Sequence, residues 1–420
     1  MRRLLYSTTA FVTAGLLSGG LQAAEPLKLT ISGTLQQWFG IVNHEKDADQ
    51  SFNSFGINTD NEINFKARTL LDNGIEAEVF TRLNVYNNNT GPTNNGNVGL
   101  DEQWVALGSA FGKVYAGAKD SINKSLHNQP VDYGIGTGDV GLTWIKKRTT
   151  NLLINPPLFE SLSVPLGGSG ISDLMSGARD HRTSFEPFAN QVPMMGYISP
   201  QVAGFQLGLT YAPNPSTLGT NSNTKTSATD HWDVTLAYTR EFKGVSIGFD
   251  GGYAHQNQAD DLVAATVPAP DASEERNDVN AWNTGLKLGY AGFTLGGSVL
   301  QVQRPGAHVN DGIAWNAGVA YAKGPWGVSY TYLQEKRRGD HGITATVMNA
   351  LIPPVIPVPL SPGNKSEKFQ THLLSGKYAL GPSMDLKSSV FYGKYSGQNR
   401  SDDLQNTWAY GLISGIDVTF

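Results

Sequence analysis

From about residue 27 to its end, the chain is built from segments in which apolar and polar side chains alternate with a period of two. Successive side chains of a strand point to opposite faces, so each segment reads as a strand with one greasy and one wet face. The last segment shows it well: Trp408, Tyr410, Leu412, Ser414, Ile416, Val418 and Phe420 share one face, and Ala409, Gly411, Ile413, Gly415, Asp417 and Thr419 the other. Residues 230–242 repeat the pattern, with Trp232, Val234, Leu236, Tyr238 and Phe242 against Asp233, Thr235, Ala237, Thr239 and Glu241. So do residues 281–290, with Trp282, Leu286, Leu288 and Tyr290 on the apolar side. A sheet sandwich also alternates, but its apolar faces meet in a shared core. Here the polar face is rich in Gly, Ser, Thr and Asn, and the apolar face begins and ends in Trp or Tyr. Aromatics at both strand ends match the two interfacial girdles of a barrel that crosses a bilayer.

Sixteen such segments can be counted: 27–43, 57–71, 74–86, 98–109, 111–119, 188–199, 203–213, 230–242, 244–256, 279–290, 292–303, 312–323, 325–337, 367–380, 382–396 and 407–420. Most exceed the ~9–11 residues that a tilted membrane strand requires. The connections alternate strictly between short (Asp72-Asn73, Ser109-Ala110, Pro200-Gln201-Val202, Lys243, Ala291, Gly324, Gly381) and long (44–56, 87–97, 120–187, 214–229, 257–278, 304–311, 338–366, 397–406). Outer-membrane barrels place short turns in the periplasm and long loops outside. An even strand count puts both chain ends on one side, which agrees with that parity. The expected fold is therefore all-β, a closed transmembrane antiparallel barrel of 16 strands.

Composition fits this class and closes others. Only 16 % of residues are charged, and beyond residue 24 the chain holds 29 bases against 36 acids. That balance opposes nucleic-acid binding, which needs a basic surface. With no cysteine, thiolate metal sites, thiol catalysis and disulfides are excluded. Beyond the first residues no run of 18 apolar residues occurs, which excludes helical spans and leaves strand spans open. Met1-Arg2-Arg3, the apolar stretch Leu4–Leu17 and the small residues up to Ala24 read as a signal peptide, residues 1–24, cleaved near Ala23 or Ala24. Residues 25–420 then form one barrel domain exported to the outer membrane.

Three patches carry a family resemblance. Tyr197-Ile198-Ser199-Pro200-Gln201-Val202-Ala203-Gly204-Phe205, running on to Tyr211, resembles a turn of the general porins of Gram-negative bacteria. Phe111-Gly112-Lys113-Val114-Tyr115-Ala116-Gly117 followed by Asp120-Ser121 resembles their fifth strand. The terminal Phe420, preceded by Trp408, Tyr410, Leu412, Ile416 and Val418, resembles their assembly signal. The resemblance implies a trimeric channel whose long third extracellular loop, here 120–187, folds into the pore as a constriction. It also implies insertion by the barrel-assembly machinery, contact with membrane lipid and lipopolysaccharide, and passive diffusion of ions and small hydrophilic solutes. No cofactor, metal or catalytic group is implied. Ala118 stands where the family often has Arg, so that basic contact is not carried over.

Alternation sorts the charges. With Ile57, Ile63, Phe65 and Ala67 facing lipid, Asn58, Asp60, Glu62, Asn64, Lys66 and Arg68 turn inward. With Ile75, Ala77, Val79, Leu83 and Val85 outward, Glu76, Glu78, Arg82 and Asn84 turn inward, and Lys113, Tyr115 and Lys119 follow on the next strand but one. Lys66, Arg68, Arg82, Lys113 and Lys119 are the expected basic wall, opposed by Asp132 and Asp139 on the inserted loop.

Other patterns carry less. Gly136-x-Gly138-x-x-Gly141 lacks the strand, helix and acid that a dinucleotide site needs. Gly244-Val245-Ser246-Ile247-Gly248 lies inside an alternating strand and not on a nucleophile elbow. Two other readings remain: a substrate-specific channel of eighteen strands, with extra spans at 150–154 and 158–164, and a barrel enzyme such as an outer-membrane phospholipase. The enzyme would require a serine in register with the outward His372.

Overall fold

The computed structural model describes residues 26–44, 54–85, 98–135, 183–215, 228–257, 278–303, 312–338, 366–396 and 406–420. Sixteen strands run in chain order: β1 Lys28–His44, β2 Phe55–Leu70, β3 Glu76–Val85, β4 Val98–Ser109, β5 Gly112–Lys119, β6 Val192–Ile198, β7 Phe205–Ala212 and β8 Thr229–Phe242. They continue as β9 Val245–Asn257, β10 Val279–Tyr290, β11 Phe293–Gln303, β12 Gly312–Lys323, β13 Trp326–Arg338, β14 Ser366–Gly381, β15 Met384–Ser396 and β16 Asn406–Thr419. Each pairs antiparallel with its chain neighbours, and β1 pairs with β16 from Thr34↔Thr419 to His44↔Ala409, which closes the barrel. Closure satisfies edge groups that lipid cannot. The seam ends in a reciprocal pair, Gly33 N to Phe420 O (2.9 Å) and Phe420 N to Gly33 O (3.1 Å).

The short connections are tight for a local reason. At Ala203-Gly204, Lys243-Gly244 and Ala291-Gly292 both residues have positive φ. That is the conformation whose twist suits a two-residue hairpin, and glycine at the second position adopts it without strain. All seven short connections lie at one end of the barrel and all eight long ones at the other.

The faces sort as alternation requires. Trp282, Leu286 and Tyr290 are exposed on the outer wall, while Asn283 between them is 2 % exposed on the inner one. Outer aromatics form two belts. Phe293–Tyr321 and Trp326–Tyr378 touch near the short turns, and Trp232–Tyr253 near the long loops.

Three departures have physical causes. β6 starts at Val192 and not near 188, because Glu186–Phe188 form a 3-10 turn whose Phe188 is buried inside. Ile75, expected to face lipid, lies before the first residue of β3, next to the Asp72–Gly74 turn, and is buried. The inner wall is also not uniformly polar: Trp38, Val42, Leu333, Leu373, Phe391 and Ile413 turn inward and are buried. Because β5 pairs directly with β6 (Lys113↔Ile198 to Lys119↔Val192), no further strand enters the wall there, and the eighteen-strand alternative fails.

Candidate functional site: the charged inner wall and the segment that faces it

On β2 and β3 the even-numbered residues turn inward, and antiparallel register sets their charges side by side. Arg68 is opposite Glu78, Asn64 opposite Arg82, and Arg82 in turn opposite Glu102 of β4. Glu78, only 2 % exposed, is the hub. Its carboxylate meets Lys66 Nζ at 2.8 Å, Arg68 Nε at 2.9 Å and Lys113 Nζ at 3.1 Å. A buried carboxylate is tolerated because three cations and their hydrogen bonds replace its water.

Arg82 forms the second centre. Its guanidinium reaches Glu62 at 3.4 Å and both Asp101 and Glu102 at 3.6 Å, and its Nε donates to Asn64 Oδ1 at 3.0 Å. Two successive acids face the same arginine because the β3–β4 register shifts between Arg82 and Leu83. Asp101 is the extra residue of a bulge, a device that re-aims a side chain. Strict alternation would have sent Asp101 outward, so period-two reading missed it.

An aromatic floor supports the cations. Phe80 stacks on Trp104 (4.9 Å), and Tyr115 meets Trp104 edge-on (5.2 Å). Lys119 Nζ lies over the rings of Trp104 (5.3 Å) and Tyr115 (5.6 Å) and reaches Glu102 at 3.7 Å. Trp104 donates its Nε1–H to Glu102 at 2.8 Å, which fixes both rings and acid. Inward Phe80 and Trp104 sit at lumen positions by parity, a signal that attention to charge alone overlooks. The five bases expected from the sequence thus lie together on one wall. The carboxylates they contact, among the described residues, are on that wall too: Glu62, Glu76, Glu78, Asp101 and Glu102.

Residues following β5 run along the opposite inner wall. Ser121 caps a short helix, α1 Ile122–Leu126, and its Oγ donates to Asp233 Oδ2 at 2.7 Å. Asn123 Nδ2 donates to Thr235 Oγ1 on β8 (2.7 Å), and its Oδ1 accepts from Asn283 of β10 (3.0 Å). Asp250 of β9 accepts from Asn128 N at 2.6 Å and lies 2.8 Å from His127 Nδ1. Farther round, Ser329 of β13 and Ser389 of β15 accept from Tyr133 N (2.8 Å) and Ile135 N (3.0 Å). Asp132 accepts from Thr331 (3.0 Å) and Ser375 (3.1 Å), on β13 and β14, about half-way round the ring from β5. The returning limb is held by packing: Phe185 and Phe188 cluster with Ala254, Val279, Ala281, Leu300 and Val302 of β9–β11. Lys124 Nζ clamps the two limbs together, at 2.8 Å from Asp120 and 2.7 Å from Glu186.

Inward glycines make this close approach possible. A Cβ at Gly248 or Gly285 would strike Asn128, at Gly296 or Gly318 Pro130, and at Gly327 the Tyr133 ring. The Gly-rich polar face of these strands is therefore a bare track for residues 128–133. Asp139, Lys146–Arg148, the Pro-rich stretch 350–362 and the Gly136–Gly141 pattern lie outside the described residues. The outward His372 meets tyrosines: Tyr330 OH lies 2.8 Å from Nδ1, and the Tyr332 and Tyr392 rings pack on it. The described residues contain no group of three or more His, Asp or Glu side chains able to hold a metal ion.

The family model that matches this chain is described as Gram-negative porin and spans residues 7–400. Among curated protein sequences none matches. Similar solved structures include an anion-selective porin from Comamonas acidovorans, at 12 % identity and TM-score 0.56, covering 94 % of this chain and 100 % of that one. The trimer form of in-vitro folded OmpT, an outer membrane protein of Vibrio cholerae, is similar at 10 % identity and TM-score 0.54, with coverage of 94 % and 100 %. At such identities the likeness is one of fold.

The track yields a test. Gly296→Val, whose nearest contacts all belong to Gln129 and Pro130, would push Pro130 and its neighbours off the wall, and overpacking of this kind costs about 1–3 kcal/mol. The expected result is a barrel that still resists heat in detergent but shows noisier, altered single-channel current. Unchanged current would mean that residues 128–133 do not bear on the open path.

Proposed function

The chain belongs to the Gram-negative porin family, and from that premise we propose how its lumen admits solutes. The protein is an outer-membrane channel for passive diffusion, and family and fold alike point to a channel and not to an enzyme. In our reading the passage lies between the charged β2–β5 wall and the segment 120–187, which acts as the constriction. The observation that carries this is the glycine track, which seats residues 128–133 against one wall while the bases of the other stay solvent-accessible; the Arg68 side chain is 50 % exposed.

Width and field do the selecting, since lining charges in a narrow low-dielectric passage set what enters. Six bases (Lys66, Arg68, Arg82, Lys113, Lys119, Lys124) meet seven carboxylates (Glu62, Glu76, Glu78, Asp101, Glu102, Asp120, Glu186). Such an interleaved surface orients water and polar solutes and excludes apolar ones. With each base already matched, the wall gives no strong anion preference. Asp132 and Asp139 remain candidates for acids on the constriction loop, with Asp132 also pinning it to β13 and β14.

Three further points complete the proposal. Residues 1–24 act as a cleaved export signal, and Trp408, Tyr410, Leu412, Ile416, Val418 and Phe420 as the signal read by the barrel-assembly machinery. The protomer assembles as a homotrimer, as in the trimer form of Vibrio cholerae OmpT.

Neutralising Lys66 and Arg82 to Gln frees carboxylates in the passage, and Glu78→Gln frees cations. A unit charge 4 Å away is worth about 1 kcal/mol even at the dielectric of water, roughly a fivefold change in permeability ratio. In a salt gradient the reversal potential should therefore move toward cations for the first variant and toward anions for the second. Unmoved potentials would remove this wall from the constriction. A native mass other than that of three protomers would refute the trimer.

A further inference from the structure

The hydrogen bonds around His127 fix how many protons its ring holds. Neither the His127 nor the Asp250 side chain is exposed to solvent. Nδ1 lies 2.8 Å from Asp250 Oδ2, and Nε2 lies 2.9 Å from Thr183 Oγ1 on the returning limb. Thr183 Oγ1 is also 2.6 Å from Ser298 Oγ of β11, which donates to Asn316 Oδ1 of β12 at 2.6 Å. Asn316 Nδ2 donates back to Thr183 Oγ1 at 3.5 Å.

A hydroxyl has one proton and two lone pairs, and an amide oxygen only accepts. The Ser298 proton goes to Asn316, so Thr183 donates to Ser298. Thr183 then has no proton left for His127, and Nε2 must donate to it. On the other side Nδ1 faces a carboxylate oxygen, and two bare acceptors at that distance would repel. A proton therefore lies there as well. It belongs to the ring, because Asp250 Oδ1 already accepts from Asn128 N (2.6 Å) and Nδ2 (3.0 Å), bonds that favour the ionised acid.

No other charge competes for this position among the described residues. Asp250 is the only titratable side chain that parity turns inward on β9, and β11 and β12 turn none inward. On β10 Lys287 points inward, one pleat toward the short turns from Gly285, the register partner of Asp250. On β8 His231 and Asp233 engage each other at 3.0 Å, and Glu241 lies at the short-turn end. Lys124 of α1 is held by Asp120 and by Glu186 of the returning limb.

We propose that His127 is a positioning residue of the segment 120–187 and that it works as an imidazolium, donating from Nδ1 to the barrel wall and from Nε2 to the returning limb. One ring thereby ties the outgoing limb, on which it lies, both to β9 and to Thr183. Loss of a ring proton to solvent sets acceptor against acceptor at one of the two contacts, and the limbs loosen there. The effect on current rests on the constriction reading given above; the proton count does not.

The experiment uses the whole protein, folded in detergent and labelled with nitrogen-15 at histidine. In the nitrogen spectrum at neutral pH, the residue whose signals vanish in H127Q should show two ring N–H groups and no bare ring nitrogen. D250N removes the countercharge and should make a bare-nitrogen signal appear at that residue. In planar bilayers the wild-type current should grow noisier as rising pH removes the second proton. T183V, which keeps the shape and removes the acceptor, should be noisy at every pH, and T183S should restore the quiet trace; this pair carries the comparison if D250N does not fold. A bare nitrogen on wild-type His127 at neutral pH would mean that the Asn316 amide is turned round and Thr183 donates to the ring, and it overturns the proposal. A conducting wild-type channel whose noise ignores pH, or a T183V variant as quiet as wild type, also overturns it. A silent bilayer together with two N–H signals would uphold the proton count and refute the channel reading instead.

Discussion

Backbone hydrogen bonding in a medium without water governs this structure. Every amide of a lipid-facing strand must find its partner in another strand, and a ring of strands is the arrangement that leaves no edge. The β1–β16 seam, finished by the reciprocal Gly33–Phe420 pair, makes sixteen strands into one surface with two sides. Once the sheet is closed, period-two alternation can no longer place an apolar side chain outside and its neighbour outside too. The division into greasy exterior and wet interior is thus a consequence of closure and of sequence parity together.

The interior then solves a second problem, since a barrel of this size is too wide to be filled by its own side chains. The chain fills part of it with a segment of itself. Between β5 and β6 it leaves the wall, and its described limbs cover a stretch of β7–β15. Glycines remove the obstacle on one side of that contact, and Thr, Ser, Asn and Asp side chains satisfy the backbone on the other. Buried polar residues such as Thr235, Asp250 and Asn283 on an inner wall would be wasteful in an open pore. They are explained by the backbone and side chains that rest on them. The described limbs leave the β2–β5 wall uncovered, and the bases there keep part of their surface in contact with solvent.

Much of this was legible in the sequence because strand parity is local. Alternating residues identified all sixteen strands, the parity of loop lengths, and the inward direction of Lys66, Arg68, Arg82, Lys113 and Lys119. What escaped were features set by tertiary contact. The bulge at Asp101 depends on how β4 meets β3, and nothing in Leu100-Asp101-Glu102 announces it. The pairing of bases with acids of their own wall depends on register, which brings Arg68 beside Glu78 and Lys113 within reach of both. Inward Trp38, Phe391 and Ile413 break the apolar-out rule because they are covered, and coverage is not a property of a single strand. The glycine track was visible only as composition until residues 128–133 were seen lying on it.

The central claim is that the cylinder encloses continuous water. Its most direct test is the conductance of the purified protein in a planar bilayer as bulk salt is raised. A water-filled passage predicts discrete ohmic steps whose size rises in proportion to the conductivity of the bathing solution, with salt screening of the wall charges altering only the lower end. Folded, membrane-inserted protein that leaves the bilayer electrically silent, or steps that saturate at low salt as at a tight binding site, would contradict it.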